Sequence, residues 1–173
     1  MPGTALSNWS GYFATTGSAG ATLVGLLFVV VTLATGLPTK RTMEIARASM
    51  TPALYSFGGV LFQSMIALAP WPSDRPAGMV FLVVGILGLV YRVSTVRLRS
   101  GLHLRAISSP LDWIFHNVVP VLGSVCVIAG GVGLTGGEAF GPFAIAGASM
   151  LLLLSGIYRT WGQTLALIQL QEK

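Results

Sequence analysis

This chain of 173 residues is 53% hydrophobic and only 9% charged, where soluble domains carry roughly 25% charged residues. With a mean hydropathy of +0.78, it has too few ionic groups to cover the surface of a water-soluble globule. Its net charge of +5 lies in segments flanking apolar stretches, which points to anionic lipid headgroups at one membrane face and not to nucleic acid.

A helix needs about 20 apolar residues to cross a hydrocarbon core of about 30 Å, and the first candidate is 13–36. Residues 1–39 hold no charged side chain, so the basic n-region of a cleavable signal is missing and this stretch is read as a retained span. Gly36 and Pro38 terminate it. Ala14, Gly17, Ser18, Ala21 and Gly25 recur every three or four residues and form a helix-packing stripe. The stripe faces either another span of the same subunit or a second subunit.

The second span, 52–69, has Pro52 at a position suited to the first helical turn and Gln63 at mid-depth. It is the shortest candidate, and a four-span arrangement would make it re-entrant. Pro70, Pro72 and Pro76 form a rigid connection with Trp71 as an interfacial anchor, leading into the very apolar third span, 77–95. In the loop 96–113, Leu98, Leu102, Leu104 and Ile107 suit lipid, while Arg99 and Arg105 suit water.

In the fourth span, 114–135, Pro120 removes a backbone donor between Asn117 and Ser124. Gly130, Gly131, Gly133, Gly136 and Gly137 mark a close approach or a break near its end, and Cys126 reads as a small hydrophobe. Asp112 and His116 lie four apart on one helix face. With Arg159, at the end of the fifth span (140–159), they form a candidate inner-end ion pair or pH switch, because His titrates near neutrality. Tyr158 and Trp161 mark the exit from the bilayer, and the tail 160–173 can prolong the helix into water. Thr22, Gln63, Asn117 and Ser124 are the candidate pore lining or polar network, since polar groups at membrane depth are costly. The plainer reading of each is an interhelical hydrogen bond.

The distribution of cations predicts the topology. Lys40, Arg41, Arg47, Arg92, Arg97, Arg99, Arg105, Arg159 and Lys173 fall on one side of a five-span arrangement, and Arg75 alone falls on the other. By the positive-inside rule the chain is an all-α, polytopic transmembrane helix bundle. Its N-terminus is outside, its C-terminus is cytoplasmic, and the loops 37–51 and 96–113 are cytoplasmic. The sequence has no paired cysteines, metal-ligand spacing, P-loop, nucleophile elbow or intramembrane carboxylate pair, so no metal, cofactor or enzymatic activity is expected.

The first span reads Asn8-Trp9-Ser10-Gly11-Tyr12-Phe13, then Gly17-Ser18-Ala19-Gly20-Ala21-Thr22-Leu23-Val24-Gly25-Leu26-Leu27-Phe28-Val29. It resembles a group of small bacterial inner-membrane proteins, some labelled modulators of a membrane-bound AAA protease. The likeness loosens through the second and third spans and fades in the last two. It departs where Thr32-Leu33-Ala34-Thr35 replaces a Ser-Ile/Leu-Asn ending. The resemblance implies a bacterial inner-membrane location and a protein partner, and names no catalytic residue. Two functions are therefore expected: a homo-oligomer around a narrow ion or small-solute pore, or a non-conducting protein that binds another membrane protein.

Overall fold

The computed structural model describes residues 4–34, 40–101 and 113–171. A 3-10 turn, Ala5–Trp9, runs straight into α1 (Ser10–Ala34). Then follow α2 (Lys40–Leu68), α3 (Asp74–Gly101), a π-helical turn (Ile114–Val118) continuing as α4 (Val119–Gly136), and α5 (Gly141–Gln171). Among the described residues there is no strand. Four segments are long and apolar enough to cross a membrane: Ala5–Val30, Asp74–Ser94, Val119–Gly136 and Gly141–Trp161. The apolar part of α2, Pro52–Leu68, is shorter.

Pro52 does not open its helix as expected. It lies inside α2, twelve residues beyond Lys40. A proline removes only one ladder donor, and the helix continues through it. The Ser56 hydroxyl, one turn later, donates to Pro52 O at 3.1 Å. Helix α3 also outruns its expected limits, reaching Gly101, and α5 extends through Gln171 as the tail composition allowed.

The helices pack side by side in the order α1, α2, α5, α4, α3. Consecutive helices α2 and α3 barely touch, because α5 and α4 lie between them at the back of the bundle. Glycine allows the closest approaches. A Cβ on Gly78 would lie 2.8 Å from Gly131 O, and one on Gly131 would lie 2.9 Å from Gly78 O, so α3 and α4 cross backbone to backbone. Gly137 ends α4 in the left-handed region (φ 76°), with Glu138 N–H donating to Gly133 O at 2.8 Å. This turn aligns α4 and α5 as a hairpin.

The core is layered along the bundle. Phe13, Phe81, Val127, Leu134 and Ile145 pack with Leu6 and Ala77 toward the end where α3 begins. Leu27, Ala53 and Phe57 form a second cluster toward the other end. The 3-10 turn is tied into the first cluster: Leu6 is buried, and Ala5 N–H reaches both Asp74 carboxylate oxygens at 2.9 and 3.0 Å. Tyr12 Oη donates to Ala146 O at 2.8 Å, and the Trp9 ring meets Phe143 edge-on at 4.5 Å.

Candidate functional site

The polar residues singled out in the sequence do not gather in one place. They sort into an outer face, an interior layer and one end of the bundle.

The outer face belongs to α1. Ala14, Ser18, Ala21, Thr22 and Gly25 are exposed on the side of α1 turned away from the bundle. Gly17 is separated from them: it is buried against α2, where its Cβ would come within 2.8 Å of Ser64 Cβ. The small-residue stripe therefore splits. Gly17, joined by Gly20 one turn on, lets α2 approach, and the other members face outward. Thr15 and Thr22 donate to Gly11 O and Ser18 O, both at 2.9 Å, so these outward hydroxyls are satisfied within their own helix.

The interior layer lies between α1, α2 and α5. Thr16 and Ser64 hydroxyls stand 3.2 Å apart, linking α1 to α2. Ser149 on α5 donates to Gln63 Oε1 at 3.3 Å, and both residues are buried. Ser64 shares the region of Gln63 as its spacing suggests, whereas Thr16 and Ser149 were not expected as participants from the sequence, because lone hydroxyls carry no spacing signal. Ser124, buried on α4, donates to Pro120 O at 3.3 Å. Gln63 and Ser124 nevertheless share one feature: both line a cleft of ≈ 530 Å³ between α2 and α3. Thr22 does not line it and is exposed on α1.

The third group sits where α4 begins. Val119 N–H reaches Ile114 O, five residues back, which is the π pattern. The next donor in that pattern would be residue 120, a proline, so Phe115 O has no helical donor in this register. Ser155 Oγ–H from α5 takes its place at 3.2 Å. Asn117 Nδ2 donates to Trp113 O at 3.1 Å, and the rings of Phe115 and Tyr158 stack at 4.2 Å. Arg159, one turn beyond Ser155, is buried here. Asp112 and the His116 side chain, the other members of the expected ion pair or pH switch, lie outside the described residues.

Among the described residues, no group of His, Cys, Asp and Glu assembles to hold a metal ion. The polar groups here can hydrogen-bond between helices, and on α1 they present oxygen atoms outward. No protein-family model, curated protein or solved structure matches this chain.

Proposed function

We propose that the chain is a homo-oligomeric integral membrane protein whose subunits meet along α1 and enclose a narrow path for an ion or small solute. In this reading all five helices span a bacterial inner membrane, with the N-terminus outside and the C-terminus cytoplasmic.

One observation carries the reading. Gly11, Thr15, Ser18, Thr22, Gly25, Val29 and Thr32 follow one another at alternating four- and three-residue steps, and all are exposed. That is the spacing of a helix–helix seam. From Gly11 to Gly25 the seam holds no large side chain. The outward faces of the other helices differ: Phe62 and Met65 on α2, Ile86 and Leu87 on α3, Phe143 and Leu154 on α5 are all exposed. Large apolar side chains suit lipid tails, whereas a small-residue face gains its packing energy against another helix. Nothing within the subunit demands glycine at Gly11 or Gly25, since a Cβ at either would meet nothing within 4 Å. The hydroxyl oxygens of Thr15 and Thr22, each donating within its own helix, can in addition accept from or coordinate a passing solute.

A second reading is a non-conducting protein that uses the same face to bind a helix of another membrane protein, such as a protease. The resemblance of its first span to small bacterial inner-membrane proteins, some of them labelled protease modulators, supports it. The deciding experiment is the mass of the purified protein in mild detergent, followed by solute flux in reconstituted vesicles. Ser18→Leu and Thr22→Leu lie on an exposed face and leave the subunit fold intact. They are expected to dissociate the oligomer and lower flux at least about tenfold, by analogy with other core-of-interface truncations and fillings. A monomeric wild type, or one copurifying stoichiometrically with another protein, would remove the pore and favour the second reading.

A further inference from the structure

The cleft between α2 and α3 is unused by the reading above and has the features of a built site. It is ≈ 530 Å³ in volume, within the range of about 300–1,000 Å³ typical of small-molecule pockets. Val24 of α1 also lines it, whereas none of the seam residues does, and its residues Leu54 and Phe62 are exposed.

Absent side chains hold it open. Gly58 lines it from α2 and Gly88 from α3. These glycines are not close-packing positions like Gly78 and Gly131. A Cβ on Gly58 would meet nothing within 4 Å, and one on Gly88 would make an ordinary contact, 3.5 Å from Ser124 Oγ. Side chains at these positions would fill the cleft without disturbing the helices around it.

The floor of the cleft is apolar at Val127 and Leu152, and its two polar residues are engaged within the bundle: Ser124 donates to Pro120 O, and Gln63 Oε1 accepts from Ser149. One end is different. There Arg92 lines the cleft beside the paired rings of Tyr55 and Tyr91, whose centroids are 4.7 Å apart. Arg92 lies eighteen residues along α3 from Asp74, about 27 Å at 1.5 Å per residue, hence near the opposite membrane face. The two carboxylates among the described side chains, Asp74 and Glu138, belong to the far end, at the start of α3 and in the α4–α5 turn. Tyrosines mark a headgroup level, and a guanidinium there is a strong phosphate ligand.

We propose that this cleft is a binding site for an anionic phospholipid, with one acyl chain lying between α2 and α3 and the phosphate on Arg92. An acyl chain gains little by leaving one apolar environment for another, so the bilayer supplies no hydrophobic drive into the cleft. Selectivity therefore resides at the Arg92 end, and shape resides at the glycines. A cleft of this kind distinguishes lipids by headgroup charge and not by chain.

The test is native mass spectrometry of the intact protein in mild detergent, titrated separately with phosphatidylglycerol, phosphatidylcholine and inorganic phosphate. The wild type is expected to retain phosphatidylglycerol at least tenfold better than phosphatidylcholine. Arg92→Gln should abolish that preference and Arg92→Lys should keep part of it. Gly58→Leu should reduce retention of both lipids at an unchanged melting temperature. If Gly58→Leu does not fold, Gly88→Ala provides a milder filling of the same cleft, with the same reduction expected. Equal binding of the two lipids by the wild type would overturn the proposal. So would wild-type retention of phosphatidylglycerol by Arg92→Gln, or displacement of the lipid by inorganic phosphate at equal concentration.

Discussion

Pro120 takes a donor away from one helix, and Ser155 on another helix supplies the replacement. The hydroxyl reaches Phe115 O, the carbonyl that a proline five residues ahead cannot serve. Ser155 is fully buried and Phe115 is half-buried, so the carbonyl needs a partner from within the bundle. Interhelical hydrogen bonds in membranes average about 0.6 kcal/mol with a ceiling near 1.7 kcal/mol. Ser155→Ala is expected to cost about 1 kcal/mol, read as a lower midpoint in detergent unfolding, while Ser94→Ala changes nothing. Ser94 is exposed and bonds only to Val90 O on its own helix, so it serves as the control. The sequence exposes half of this pair. Proline at position 120 announces a missing donor, but nothing in the order of residues says which of many serines will answer it.

At the scale of elements, the segment before α1 shows how a short turn becomes part of a bundle. Its Ala5 N–H lies on the Asp74 carboxylate, 69 positions away, and Leu6 is buried in the larger core cluster. Asp74 also opens α3, where a negative charge complements the helix N-terminus. One side chain thus anchors two elements. A charge-assisted hydrogen bond contributes about 1.5 kcal/mol or more when buried, and less where partly solvated as here. Asp74→Ala is expected to lower the unfolding midpoint and to speed amide exchange at positions 5–9, with exchange in α5 unchanged. Uniform protection in the variant would show that Leu6, Trp9 and Tyr12 hold the turn without help. The pairing itself could not be read in advance, since an aspartate after a proline-rich connection looks like a solvated loop residue.

At the scale of the molecule, the nine-to-one distribution of cations and the antiparallel helix order make one joint prediction. Single cysteines in a Cys126→Ala background report the side of each connection. The five-span reading expects Arg75→Cys and Glu138→Cys to react with a membrane-impermeant maleimide from outside intact cells. Arg99→Cys should react only after the membrane is opened. With the N-terminus outside, the inverse pattern, Arg99→Cys reacting from outside and the other two only after the membrane is opened, would leave α2 as a re-entrant segment. Its apolar portion is the shortest, yet Ala53, Phe57, Val60, Gln63 and Ser64 along it are buried against its neighbours. A segment central to the packing is compatible with lower apolarity, because fewer of its side chains face lipid.

The sequence by itself determined the helical class, four of the five apolar segments it predicts as long enough to span, and the glycine-rich break after Thr135, because hydropathy and backbone freedom are properties of neighbouring residues. It also marked Ala14, Gly17, Ser18, Ala21 and Gly25 as small. Only the tertiary structure decided that Gly17 faces α2 while the other four face outward. The same holds for α2 and α3, which are joined by a short connection and yet held apart across a cleft. The reason is geometric. Local pattern sets which residues share a helix face, but the azimuth of each helix is chosen by packing all of them at once, and a rotation of one helix by less than a third of a turn would exchange seam for core.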